Sequence, residues 1–580
     1  MSTAETEKPA VPASVPENGL NATAPPQSGE QFFTSTLTSE EFFSGTKTQV
    51  RVLVVADGLI GFVSSLTGFG LTELIDNTLM KSAMPWEELE VVKAHRRGPV
   101  LGALGVPGAH LPSFRFDAPP AGFSLDSFDQ IWLFGQASEG GEKGSLPLEP
   151  AELSALADFM NRGGGVFATG DHDTLGAALC GNVPRVRSMR KWVTQSEPPP
   201  PRNGLTRIDT LREGFTQGFM EADQSDSVPQ EIHPIFRLNK TDDGSQPHDL
   251  LKNGDLAITV LPDHMHEGEC VIPDKLDEEL TLSDGTPYKE YPPAHDDPTQ
   301  RLAPDLVAMS VSASGSIVGA RAAAPPLAPR LFKTIVAYDG HRARKAADKY
   351  EKDRVGRVVV DSSFHHFLDI NLKGICGNRD SPTRDCLAIK RYFRNILLWL
   401  LPPEKQASYY MNMLRMVRNL SPLVEVIRPV KDPTWPELLF AGQATHQAIS
   451  EKFSRADAVR CALVAASTLS EELRTAAEEF LDPWRTEPET TLDPKRMFIN
   501  ADLLLKIILG GAMLGIADEE VEQPVAAPPL LSAAAGDSLQ PSLQDHIAGG
   551  LEKTGVVLKK VIAQSYGQLG NFLVAFKSHP

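Results

Sequence analysis

Cysteine is scarce in this chain. Five residues in 580 (Cys180, Cys270, Cys376, Cys386 and Cys461) are scattered, and no CxxC pair exists. That excludes a cysteine-based zinc site, and the odd count leaves at least one thiol unpaired. The pattern argues for a reducing compartment and against a disulfide scaffold. A dense basic patch is also missing. Lys and Arg number 56 against 75 Asp and Glu, for a net charge of -19. Such a chain repels phosphate backbones, so nucleic acid is not an expected partner, and polybasic attachment to a membrane is disfavoured. Long apolar runs are absent too. The greasiest stretch, Ala501 to Ala517, carries Lys506 and falls short of the roughly 20 residues a membrane span needs. No basic segment followed by an apolar core opens the chain, so no secretory signal is read. The expected setting is cytoplasmic, without a membrane span.

What is present is the composition of a folded protein, 41% apolar and 23% charged. Residues 1–48 read as a flexible arm, because an Ala/Pro/Thr/Ser/Glu-rich stretch offers little to bury. Its aromatic doublets Phe32–Phe33 and Phe42–Phe43 are expected to pack on a core or a partner. From Val50 the pattern alternates. Apolar runs Val50–Ala56, Leu89–Ala94, Ile131–Gly135 and Val166–Thr169 predict strands, and Leu71–Met80 and Glu152–Arg162 predict helices. Gly163-Gly164-Gly165 ends the second helix in the manner of C′ glycines. Further strands are predicted at Leu256–Leu261, Leu306–Val311, Thr334–Tyr338 and Arg357–Val360, after an irregular insertion over about 194–255. This is the pattern of a flavodoxin-like doubly wound parallel sheet, an α/β core over 49–375. A mainly helical region follows over 380–522, then an Ala/Pro/Ser linker over 523–541. The C-terminal amphipathic helix over 542–580 has a stripe from Leu551 to Phe576 that should dock on the helical region or on a second copy.

Four strand candidates end in segments holding both Asp and His. These are Gly170-Asp171-His172-Asp173, Asp263-His264-Met265-His266-Glu267, Asp339-Gly340-His341 and Asp361-Ser362-Ser363-Phe364-His365-His366. In an all-parallel sheet the carboxyl ends share one edge, where ligands bind, so the four clusters are expected to converge on one crevice. Asp and His together serve as acid–base pairs or as ligands for a divalent metal. The spacing of His264 and His266 lets both face one way from an extended segment, which with Asp263 makes a candidate metal set. No spacing of higher specificity names a metal or any other cofactor. The glycines at 58, 61, 68 and 70 do not form GxGxxG, which excludes a dinucleotide loop. Next to the first cluster, Arg187 and Arg190 are candidates for holding an anionic substrate.

The stretch from Val50 to Asp361 resembles the class I glutamine amidotransferase-like superfamily, and within it the ThuA-like branch. The carrying residues are the strand Ile131–Gly135, the helix Leu153–Arg162, and the run Gly163-Gly164-Gly165-Val166-Phe167-Ala168-Thr169-Gly170-Asp171-His172. In that superfamily a unit of this layout forms the nucleophile elbow. Val358–Asp361 followed by His365 is similar to its last strand and catalytic histidine. A glutaminase needs a cysteine at the elbow, where this chain has Gly170-Asp171-His172, and Cys180 lies eight residues beyond His172. The resemblance therefore implies the fold and a ThuA-like site rather than thioester chemistry. The expected activity is hydrolase-like, on a polar small molecule such as a carbohydrate. His172 or His365 would be the general base, oriented by Asp171 and Asp361. Arg187, Arg190, Glu267 and His341 would bind substrate. A catalytically silent domain serving assembly, as a homo-oligomer or with a protein partner through the C-terminal helices, is the alternative.

Overall fold

In the first strand, every side chain from Val52 to Ala56 is buried, whichever way it points. Leu53 and Val55 enter one hydrophobic core while Val52, Val54 and Ala56 enter another. A sheet covered on both faces needs apolar residues at successive positions, which is why these strands read as continuous runs. The computed structural model describes residues 46–63, 68–96, 106–138, 147–171, 174–192, 229–238, 245–262, 268–283, 287–294, 299–312, 330–343, 355–377, 382–420, 432–467, 501–522 and a few short pieces between and after these. The arm with its Phe doublets, the linker, and all the stripe residues from Leu551 to Phe576 lie outside the described residues.

One nine-stranded sheet organises the chain. Its strands are β1 (Thr48–Ala56), β2 (Glu87–His95), β3 (Gln130–Phe134), β4 (Gly165–Thr169), β5 (Gln230–Pro234), β6 (Val260–Leu261), β7 (Asp305–Ser312), β8 (Arg330–Tyr338) and β9 (Val358–Asp361), in the order β6-β5-β7-β8-β9-β4-β3-β1-β2. From β2 to β9 the five neighbours β2-β1-β3-β4-β9 are parallel. Beyond β9 the sheet alternates, with β8 antiparallel to β9, β7 to β8, β5 to β7 and β6 to β5. The sheet is thus mixed where an all-parallel one was expected. Parallel neighbours need a crossover of a dozen or more residues, usually a helix, whereas antiparallel neighbours can be joined by a tight turn. Among the described residues, one 3₁₀ turn at Gly340–Arg342 is the only helical piece between β8 and β9. The expected strand Leu256–Leu261 is split, Leu256–Ala257 pairing with Lys252–Asn253 and only Val260–Leu261 joining the sheet.

Helix α1 (Pro150–Asn161) starts with proline in its first turn and a reciprocal capping box between Glu149 and Glu152. It stops at Gly163, whose φ of 95° is the left-handed conformation glycine tolerates best. Its buried Leu156, Phe159 and Met160 cover one face of the sheet with Ile131, Leu133, Val166 and Val358. The opposite face is covered by α3 (Arg384–Leu400), which follows α2 (Asp369–Ile375). Thr383 caps α3, accepting the Cys386 N–H at 3.1 Å. The face Ile389, Phe393, Ile396 and Leu400 is fully buried in the same core as Trp132, Phe134 and Phe167. That core continues through α4 (Pro403–Leu420), α5 (Trp435–Lys452), α6 (Arg455–Ser467) and α7 (Ala501–Glu522), so the sheet and the helical region share it.

Helix α7 contains the greasy run and is buried, not membrane-spanning. Among the described residues no helix is long and apolar enough to cross a membrane. Where α5 and α7 cross, Gly442 lies against the Lys506 carbonyl and Gly510 against the Leu438 carbonyl, which leaves no room for a side chain. Gly550, at the start of the C-terminal segment, sits on Gly511 and Gly515 of α7. Two cysteines differ from the thiols expected. Cys376, just after α2, is disulfide-bonded to Cys386 in the first turn of α3, while Cys180, Cys270 and Cys461 are buried free thiols.

Candidate functional site

The carboxyl ends of β1, β3, β4 and β9 lie side by side on one edge of the sheet. At the end of β1, Asp57 accepts the backbone N–H groups of Gln136 (2.6 Å) and Ala137 (2.9 Å), tying β1 to the turn after β3. Burial pushes its carboxyl up to about 6, against the pull of those two donors. The chain then runs across the edge to α2. The Gly70 and Gly68 carbonyls accept the N–H groups of Asp369 (2.8 Å) and Ile370 (3.0 Å), which brings Phe69 edge-on to His365.

Directly after β4 and β9 comes a tight cluster of polar groups. Ser363 caps the 3₁₀ turn Phe364–His366 by accepting the His365 N–H at 3.1 Å, and its hydroxyl donates to Asp171 Oδ1 at 3.0 Å. That turn places His365 with Nε2 3.6 Å from Asp171 Oδ2. On the other side of the ring, Nδ1 lies 3.1 Å from Asn371 Oδ1 on α2. With Oδ1 of Asn371 as the acceptor, the proton sits on Nδ1 and Nε2 is turned towards Asp171. His365 is 3% exposed, Asp171 1% and Asn371 0%, so the arrangement is desolvated.

Its neighbour on the turn does something else. His366 Nδ1 bonds Asp361 Oδ1 at 2.6 Å and its Nε2 lies 3.2 Å from Gln230 Oε1. Asp361 also accepts from the Ser363 N–H (3.1 Å) and the Tyr392 hydroxyl (2.7 Å). Burial, and then the adjacent Asp361, raise the Tyr392 hydroxyl well above its usual range, so it stays a donor. Asp361 therefore anchors His366, β5 and α3; it does not orient His365, the role expected of it.

Other sequence candidates divide just as sharply. His341 follows β8, which runs antiparallel, so it lies at the opposite edge from His365, beside the start of β9. There Asp339 pairs with Arg357 at 2.7 Å. The expected convergence of four clusters is thereby corrected: an Asp/His segment marks the carboxyl edge only if its strand is parallel. Arg187 is taken by Glu278 (3.0 Å) and Glu290 (3.4 Å), and does not face the site. Arg190 does, with Nη2 donating to the carbonyls of Asp171 and Ser362, each at 2.6 Å. Cys180 is buried with its thiol 3.4 Å from the Thr169 carbonyl, and burial pushes it far above the range of a nucleophilic thiolate. His172, Asp263, His264, His266 and Glu267 lie outside the described residues. Among the described residues, no group of three or more His, Cys, Asp or Glu is placed to hold a metal ion.

Ser363 and Asn371 went unread in the sequence. A serine two residues before a histidine carries a weak turn signal, whereas nothing marks Asn371, six residues beyond His365 on the next element. At the other edge a cavity is lined by Asp249, Arg357, Trp399, Tyr410, Arg460 and Asp482, among others. Its charges are largely matched internally. Against the upward push of burial, Lys252 and Arg460 hold Asp249 far below the usual carboxylate range. No family model matches the sequence, and no curated protein matches it.

Proposed function

We propose that the Asp171–His365 pair is the acid–base centre of a hydrolase-like enzyme acting on a polar small molecule, with carbohydrate derivatives the first class to test. The observation that carries this reading is the pairing itself. A buried imidazole has one nitrogen fixed by Asn371 and the other turned to a carboxylate 3.6 Å away. Nε2 takes a proton from an attacking water, and Asp171 balances the charge the ring acquires. Ser363 holds the carboxylate and Asn371 holds the ring, so neither partner needs to reorganise during the reaction. General acid–base action of this kind is worth about 10²–10⁴ in rate.

The ThuA-like resemblance supports the same reading. Its elbow position falls on Gly170-Asp171, where the parallel strand β4 ends, and Cys180 is too buried and too basic to replace an elbow cysteine. The site is equally compatible with a different role. Both side chains are almost wholly buried, which favours a silent domain in which the pair pins β4 to β9 and the helical layer serves assembly.

The test is a hydrolysis panel of glycosides, sugar lactones, esters, amides and phosphoesters, with wild type, His365→Ala and Asp171→Asn. Turnover of one class by wild type, lost in both variants with unchanged circular dichroism, supports the enzyme. No turnover of any class, with both variants merely less stable, favours the silent domain.

A further inference from the structure

We propose that Arg190 binds an anionic group, a carboxylate or phosphate, on the small molecule handled at the Asp171–His365 site; this rests on the reading of that site given above. The guanidinium is 2% exposed and lies 4.4 Å over the Trp192 ring. Its Nη2 is used by the two backbone carbonyls of Asp171 and Ser362. Its Nε and Nη1 have no hydrogen-bond partner, and no carboxylate forms an ion pair with it, among the described residues. Arg394 is matched by Glu87, Arg357 by Asp339 and Arg96 by Glu152, while Arg185 spends Nε on the Glu290 carbonyl and Nη2 on Asn161 and leaves only Nη1 idle among the described residues. A desolvated cation with two idle donors is the arrangement an oxyanion completes.

The backbone around it is cut to fit. A Cβ on Gly170 would come 2.5 Å from Nη1, and one on Gly268 would overlap Nη2. Glycine therefore stands at both points where the chain passes the guanidinium, one after β4 and one beside the end of β9. Burial, opposed by Cys270 and Asp171, lowers the proton affinity of the guanidinium. An oxyanion brought alongside would reverse that burial penalty. Position matters as much as charge. The carbonyls that hold Nη2 belong to Asp171 itself and to the residue before Ser363, so an anion on Arg190 and a reacting bond at His365 fit within one small molecule. Arg187 offers no such group, since Glu278 and Glu290 already occupy it.

The experiment uses the full-length protein titrated with sodium phosphate and with sodium acetate, each against sodium chloride at equal ionic strength. The readouts are the melting temperature and tryptophan fluorescence, to which Trp192 reports directly. At least one oxyanion should stabilise wild type where chloride does not, saturably, and the responding anion identifies the class. Arg190→Met should abolish the response, and Arg190→Lys should weaken it about tenfold, because the ammonium lacks the planar fork. Arg187→Met should keep the anion affinity within about twofold, since that guanidinium is taken up by Glu278 and Glu290. A wild type indifferent to both oxyanions overturns the proposal, as does an Arg190→Met protein that responds normally. Should Arg190→Met fail to fold, wild type and Arg190→Lys decide, equal affinities counting against it. If His365→Ala abolishes turnover while no anion binds, this proposal falls and the acid–base reading stands.

Discussion

Replacing His248 with phenylalanine should make the protein less stable at pH 7 and more stable at pH 5. The ring is 3% exposed, edge-on between Trp399 and Trp484 at centroid distances of 5.2 and 5.0 Å. Burial lowers its pKa from 6.5 to about 3, so the folded protein keeps it neutral throughout the mildly acidic range. A histidine depressed in the fold gives stability that is present above its unfolded value of 6.5 and drains away as pH falls towards 3. Between pH 7 and pH 5 the linkage amounts to about 2 kcal/mol, and any folded value below about 4 gives nearly the same figure. Phenylalanine keeps a ring between the tryptophans but cannot take up a proton. It also loses the acceptor for the Leu250 N–H, a 3.3 Å contact whose loss costs about 1 kcal/mol. His248→Phe should therefore lie about 1 kcal/mol below wild type at pH 7 and about 1 kcal/mol above it at pH 5. Urea unfolding followed by circular dichroism at both pH values measures the crossing. Parallel pH dependence in the two proteins would refute the reasoning, because it would mean that His248 is protonated in the fold.

Tyr392→Phe removes one hydroxyl donor from the buried Asp361 carboxylate while the His366 and Ser363 donors remain. It should cost about 1.5–3 kcal/mol in urea unfolding at pH 7, and a loss below about 0.5 kcal/mol would show that the carboxylate does not depend on it. The Cys376–Cys386 bond closes a separation of 10 residues, so replacing both cysteines with alanine should lower stability by about 2.5 kcal/mol on the chain-entropy argument. Alkylation of the unfolded, unreduced protein should label three cysteines, Cys180, Cys270 and Cys461, and labelling of all five would contradict the bond.

Most strands were legible because burial on both faces leaves a continuous apolar signature, from Val50–Ala56 to Val358–Val360. The helix before β4 was legible for another reason: its glycine triplet has a local conformational meaning. Strand direction was not legible. Thr334–Tyr338 is as apolar as Val166–Thr169 and ends in the same Asp-plus-His punctuation, yet it runs the other way. Parallel and antiparallel neighbours differ in hydrogen-bond pattern and not in the apolarity of either strand, so composition alone could not separate them. His365 was found because a histidine close behind a terminal strand is a local pattern. Its true partner was harder, since Asp171 and Asp361 both end parallel strands and only the 3₁₀ turn decides which of two adjacent histidines meets which carboxylate. Arg187 and Arg190 were indistinguishable for a similar reason. What separates them is Glu290, a hundred residues away, which no periodicity around Arg187 could announce.

The central claim is that Asp171 and His365 act as one unit on substrate. A double-mutant cycle on kcat, measured on whichever substrate class the panel identifies, tests it most directly. His365→Ala and Asp171→Asn should each lower kcat by about 10²–10⁴, and the double variant should be no slower than the worse single one. Independent, multiplying losses, or full turnover in either single variant, would contradict the account.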